Sequence, residues 1–228
     1  MKHIVKTSEP DFFKDDIKEL REKIKTAPKK SEIWDEYKEK RKLKEHILQY
    51  EQNWLCCYCE SKLTLLTLDD DSHVEHIKPK SLDYDNLTFE YSNLAVSCNG
   101  KCHTDGNTPI TCGHKKGKDF NEVNFLNPTN TQNIRDYFVY TDKGHIGASS
   151  LDETKSIYTM NLLQLNTFGN NLPEARLIAL TEFRESVQTN ATKTSRALKE
   201  IAIVLLKKEN LAFISFLRFK YKKILQEQ

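Results

Sequence analysis

The sequence predicts an α+β protein in which a small, metal-organised centre lies between two helical regions. Three observations predict it. All six cysteines fall between positions 56 and 112. Helical spacing of apolar residues fills the first fifty positions, stops near Trp54 and returns only in the last third of the chain. Between those helical regions, Tyr137, Val139 and Thr141 alternate and run into Asp142-Lys143-Gly144, the signature of a strand, a turn and a partner strand through His145 to Gly147. The boundaries follow: residues 1–53 as an N-terminal helical segment, 54–128 as the chemical core, and 129–228 as a hairpin with helices that pack on the core or on a partner.

The N-terminal segment reads as two helices. Ile17, Leu20 and Ile24 share a face in the first, which stops near Pro28. The second starts at the candidate cap Ser31 and carries Ile33, Tyr37, Leu43, Ile47 and Tyr50. The opposite faces mix signs, with Glu36 and Lys40 as an i,i+4 pair, so they are expected to be solvated. Past the hairpin, Ile157, Leu162 and Leu165 share a helical segment that breaks around Gly169 to Pro173. Leu198, Ile201 and Leu205 line a later helix, and Phe213, Phe216, Leu217 and Tyr221 give the last one an aromatic face. Such a stripe suits a core or a subunit interface.

Composition narrows the function classes. At 228 residues the chain can bury a proper core, and 38% hydrophobic against 30% charged residues excludes wholesale disorder. Met1 to Lys6 is followed by charged residues rather than a secretory signal, and no apolar run reaches the roughly 18 residues of a membrane span. A cytoplasmic location without a membrane partner is the expectation. Lys and Arg number 35 against 33 Asp and Glu, so the whole chain is not a strongly basic nucleic-acid binder. From Arg176 to Gln226 eleven Lys or Arg face four Asp or Glu, enough to track phosphates or simply to coat helix faces.

In a reducing compartment, clustered cysteines point to metal rather than to disulfides. Cys56 and Cys59 form a Cys-x-x-Cys pair whose turn aims two sulfurs at one ion, leaving Cys57 out. The second pair has two registers: Cys98 with Cys102 as a local knuckle, or Cys98 with Cys112 across a longer loop. Either gives a closed four-sulfur structural zinc site, which leaves no position open for substrate.

Between the pairs stand His73-Val74-Glu75-His76-Ile77-Lys78-Pro79-Lys80, then Asn93-Leu94, then Cys112-Gly113-His114-Lys115-Lys116-Gly117. This order resembles the HNH, or ββα-metal, endonuclease motif bracketed by cysteine pairs. The resemblance implies a zinc-stapled ββα-metal core in which His76 activates water, Asn93 braces the histidine-bearing loop, and Glu75 and His114 hold a catalytic Mg2+ or Mn2+. The chemistry is consistent: histidine is neutral near pH 7, and a hydrated cation stabilises charge on a phosphorane and a leaving oxygen. Lys78, Lys80, Lys115 and Lys116 are candidates to reach phosphate. Two departures stand out. Glutamate replaces the commoner aspartate, and the terminal histidine usually follows its cysteine directly, as His103 follows Cys102, whereas His114 comes two after Cys112. Lys116-Gly117 favours the Cys112 and His114 register. His73, two residues from Glu75, is a reserve ligand on the same side of a strand.

A closer likeness covers most of the chain. Cys-x-Tyr-Cys-Glu at 56–60, the segments 73–81, 93–98 and 112–117, Phe125-Leu126-Asn127-Pro128, the hairpin and Leu163-Gln164-Leu165-Asn166 are similar to the PtuB component of Septu antiphage systems, which also accompanies some retrons. That resemblance implies an effector that attacks nucleic acid, DNA before RNA, beside a PtuA-type ATPase oligomer. The helices beyond the core are candidates to dock the ATPase, the aromatic face from Phe213 to Tyr221 above all.

Overall fold

The computed structural model describes residues 1–64, 71–80, 82–100, 111–166, 171–189 and 194–226. Helix α1 spans Asp11–Thr26. The helix expected from Ser31 onward is instead two, α2 (Lys30–Glu36) and α3 (Lys40–Ile47), with α3 running into a widened turn at Leu48–Gln52. The break falls at Tyr37, whose backbone turns extended at φ −61°, ψ 119° while its hydroxyl donates to Asp16 at 2.8 Å. Nor does Ser31 cap α2. The carboxylate of Asp85 accepts from the backbone N–H groups of Lys30 and Ser31 at 3.0 and 3.3 Å, so the cap comes from the central segment.

The centre is built on an antiparallel pair, β1 (Ser72–His76) and β2 (Leu94–Cys98), in which His73 lies opposite Ser97 and Glu75 opposite Ala95. All five residues of β2 are buried. Its outer edge is closed by Gln52, whose side chain accepts from Val96 N–H at 2.7 Å and donates to Val96 O at 2.8 Å. A short helix, α4 (Cys112–Lys116), follows in the chain and packs on β2.

Strands β3 (Phe138–Tyr140) and β4 (Ile146–Ala148) form the expected hairpin. Its inward residues are Phe138 and Tyr140, with Val139 facing out between them. Gly144 turns the hairpin at φ +78°, and a Cβ there would lie 2.2 Å from Pro173 O. Helices α5 (Glu153–Leu163), α6 (Leu172–Thr189), α7 (Ser195–Lys207), α8 (Ile214–Lys220) and α9 (Lys222–Gln226) complete the described chain.

One apolar core joins all three segments, with Phe13 and Trp34 from the first, Leu94 and Val96 from the second, and Phe213 and Phe216 from the third. Polar bolts reinforce it. Ser215 donates through both N–H and Oγ to Glu60, the residue after the first cysteine pair, at 2.9 and 2.5 Å. Lys6 donates to Glu51 at 2.6 Å and to Leu94 O at 2.9 Å. The aromatic face is therefore not free to dock a partner: Phe213, Phe216 and Leu217 are buried in the protein's own core, and Tyr221 packs on Phe183 with ring centres 5.0 Å apart. Among the described residues, no helix is long and apolar enough to cross a membrane.

Candidate active site and metal centre

The Cys56 to Cys59 turn closes through Glu60 N–H to Cys56 O at 3.1 Å and Cys56 N–H to Ser61 O at 2.9 Å, with Glu60 left-handed at φ +65°. It points two sulfurs at the end of β2 and the start of α4. There Cys56, Cys59, Cys98 and Cys112, all buried, bring their sulfurs within 4.8 Å of one another. Tetrahedral zinc with bonds of about 2.3 Å needs sulfur separations of about 3.8 Å; Cys59 and Cys98 lie 3.9 Å apart. Backbone N–H groups aim at the sulfurs, from Cys98 to Cys56 at 3.3 Å and from Ser61 to Cys59 at 3.5 Å. Burial works against a charged Cys56, but hydrogen bonds from Cys112, Cys57, Cys59 and Cys98 outweigh it and hold the thiol well below its usual range. Four buried cysteines so arranged can hold a metal such as zinc. Cys57 stays outside, its thiol pushed well up by burial and its N–H bonded to Val96 O. Cys102 and His103 lie outside the described residues.

Beside the sulfurs, a cleft of about 250 Å3 is lined by Trp34, His73, Glu75, His76, Gly113 and His114 among others. Glu75 is 5% exposed. Its Oε1 accepts from Tyr58 at 2.9 Å and pairs with Lys116 at 3.0 Å, and its Oε2 meets His73 Nε2 at 3.1 Å. Burial alone would raise this carboxyl, but Lys116 and then His73 overcome that and hold it down at about 2. The His114 ring, on the exposed side of α4, lies 4.2 Å from that of His73. Among the described residues, no set of three or more His, Cys, Asp or Glu ligand atoms besides the four cysteines gathers as tightly as those sulfurs do. His73, Glu75 and His114 line this cleft together, and imidazole and carboxylate are donor types that could serve a hydrated divalent ion open to substrate. Gly113 makes room for them, since a Cβ on it would lie 2.3 Å from Glu75 Oε2.

His76 ends β1 and is 7% exposed. Its Nε2 is 2.9 Å from the carbonyl of Thr88, an acceptor only, so Nε2 carries the hydrogen and Nδ1 keeps the lone pair. Burial, to which the Trp34 ring with its centre 4.6 Å from that of His76 contributes, pushes the imidazole down to about 4 and keeps it neutral at physiological pH. Asn93 grips the loop that follows: Oδ1 accepts from Lys78 N–H at 2.8 Å, and Nδ2 donates to Lys78 O at 3.0 Å and Leu87 O at 3.2 Å.

The candidate phosphate lysines separate. Lys115 is exposed, Lys80 pairs with Asp35 at 3.1 Å and Lys78 with Glu122. Lys116 is no surface group: at 1% exposure its Nζ reaches Glu75, His76 O at 3.0 Å and Ile77 O at 3.2 Å. Sequence reasoning missed Tyr58, Trp34 and this role of Lys116. Only the aromatic residue inside the cysteine turn and the three-residue step from Gly113 to Lys116 along one helix hint at them.

No family model matches the chain. In sequence it is similar to the "Retron Vc95 putative HNH endonuclease" of Vibrio cholerae serotype O1 biovar El Tor, 32% identical over 172 residues that cover 74% of this chain and 75% of the relative.

Proposed function

The chain belongs to the HNH endonuclease family, and from that premise we propose that it hydrolyses phosphodiester bonds of nucleic acid, with DNA as the first candidate substrate. The observation that carries the reading is the fixed tautomer of His76, which leaves Nδ1 as the one basic nitrogen of a neutral, buried ring beside Glu75. In the proposed reaction, Nδ1 takes a proton from a water as its oxygen attacks phosphorus. The bond to the 3′ oxygen breaks, giving a 5′-phosphate and a 3′-hydroxyl that takes its proton from solvent. A divalent ion, Mg2+ or Mn2+, supplies positive charge to the phosphorane and the leaving oxygen. Glu75 and His114 hold that ion in this reading, and Asn93 is the brace that keeps the peptide after His76 in place. Zinc fills the four-cysteine site as a structural ion. The succession β1, β2, α4 around that site supports a ββα-metal core.

The reading extends to an effector role in antiphage defence beside a PtuA-type ATPase oligomer. Its support is the sequence likeness to PtuB and a relative whose name places it in a retron. The decisive experiment presents single- and double-stranded DNA and RNA to the zinc-loaded protein, alone and with the ATPase, in Mg2+, Mn2+ or EDTA. Metal-dependent cleavage yielding 5′-phosphate ends is expected. Absence of cleavage in every arm leaves a zinc-dependent nucleic-acid-binding or regulatory module.

A further inference from the structure

A second cleft lies between the β3–β4 hairpin and helices α8 and α9, and it shares no lining residue with the one at Glu75. Residues 214–226 carry Arg218, Lys220, Lys222 and Lys223 and no acidic residue. Lys220 is paired with Asp142 at 2.7 Å. Arg218 belongs to a cluster in which one residue, Glu209, serves three cations. Glu209, left-handed at φ +57°, takes both outer nitrogens of Arg135 on its carboxylate and Nη1 of Arg218 at 3.1 Å, while Lys2 Nζ donates to its backbone carbonyl at 3.3 Å. These cations are no surface coat: the side chains of Arg135 and Arg218 are 28% and 30% exposed, and Lys2 is 8% exposed. Positive charge in excess of its counter-charge is costly where water is partly excluded, and a bound anion would lift that cost.

Space for an anion adjoins the cluster. Two cavities of about 480 and 470 Å3 share Arg135, Asp136 and Arg218, each of a size that takes a small ligand. Arg135 is locked, its Nε donating to Ser215 Oγ at 3.0 Å. Arg218 spends only Nη1, on Glu209 and on Leu206 O at 3.3 Å, and among the described residues its Nε and Nη2 have no partner. Lys222 has no carboxylate partner among them either, its Nζ standing 4.8 Å from the centre of the Phe219 ring. His3, on the wall of the second cavity, has an Nδ1 without a hydrogen-bond partner among the described residues. A guanidinium with spare donors beside an ammonium matches phosphate. Val139, Phe219 and Leu225 add apolar lining that suits a base, and Asp136, the one carboxylate lining either cavity among the described residues, suits a sugar hydroxyl. We propose that this cleft binds a nucleoside phosphate, free or at the end of a strand, through Arg218 and Lys222. The site stands whether or not the cleft at Glu75 cuts nucleic acid.

Calorimetric titration of the full-length, zinc-loaded protein without added divalent ion tests it, with ATP in one arm and 5′-phosphorylated oligothymidylate in the other. Binding at one site per chain, displaced by pyrophosphate, is expected in at least one arm; ATP binding identifies a free nucleotide, and binding of oligothymidylate alone identifies a strand end. Arg218→Gln and Lys222→Gln are each expected to weaken it at least about tenfold, with melting curves checking the fold. Lys223→Gln, exposed on the same helix but outside the cleft, is expected to stay within about twofold of wild type. No binding in either arm, binding insensitive to Arg218→Gln, or equal losses in Lys222→Gln and Lys223→Gln overturns the assignment. Displacement by polyglutamate as readily as by pyrophosphate overturns it too, in favour of an acidic peptide.

Discussion

Lys116→Met replaces a fully buried cation by an apolar chain of similar length, and the structure says what is lost. Nζ gives up its pairing with Glu75 Oε1 at 3.0 Å and its bonds to the carbonyls of His76 and Ile77. Removing one partner of a buried ion pair costs about 3–5 kcal/mol, because the other charge stays buried. The carboxyl, held at about 2 rather than its ordinary 4.5 by Lys116 first and His73 second, contributes about 3 kcal/mol at neutral pH from both partners together. The sign is that of a depressed acid, so the contribution is full above about pH 4.5 and is lost as pH falls towards 2. For a chain of this size, about 3–5 kcal/mol lowers the melting temperature by roughly 6–20 °C. Thermal unfolding of zinc-loaded protein at pH 7 measures it, with exposed Lys115→Met as the control, expected within about 0.5 kcal/mol of wild type. If Lys116→Met melts with the control, Lys116 is not the counter-charge of Glu75.

Three further outcomes are expected. Cys98→Ser abolishes stoichiometric zinc binding and the folded core with it, whereas Cys57→Ser keeps both, as atomic absorption and circular dichroism would show. Phe216→Asp puts a charge at a position 1% exposed and lowers stability by at least about 4 kcal/mol, so loss of a partner complex in this variant would report unfolding, read from its melting curve. In the proposed reaction His76 must be neutral to act, and with its imidazole pushed down to about 4 it stays so well below the ordinary 6.5. The rate with saturating Mn2+ should therefore hold down to about pH 5.5, where an ordinary histidine would be about 90% protonated. Trp34→Ala, which opens the ring to water, should move that acid limb upward.

Much of the centre was legible in the sequence because its chemistry is local. Cys56 and Cys59 share one turn, and His73, Glu75 and His76 share one strand, so spacing alone placed them together. Cys112 needed a choice between registers; β2 and α4 bring its sulfur beside Cys98, while Cys102 lies outside the described residues. What stayed hidden depends on distant segments meeting. Trp34 reaches His76 from a helix forty residues upstream, Asp85 caps that helix from outside it, and Tyr58 crosses from the cysteine turn to Glu75. Lys116 reads as a surface charge until the helix is seen pressed against β1. The aromatic face from Phe213 to Tyr221 carries the helical period of either a core or an interface, and only its packing on Glu60, Tyr140 and Phe183 shows which.

In the proposed reaction His76 removes the proton from the attacking water. The direct measurement is the single-turnover cleavage rate of wild type and His76→Ala on whichever nucleic acid the wild type cuts, at pH 7 with saturating Mn2+ and equal zinc content. A loss of about 10²–10⁴-fold with substrate affinity retained is predicted. A variant that cuts at the wild-type rate would contradict it.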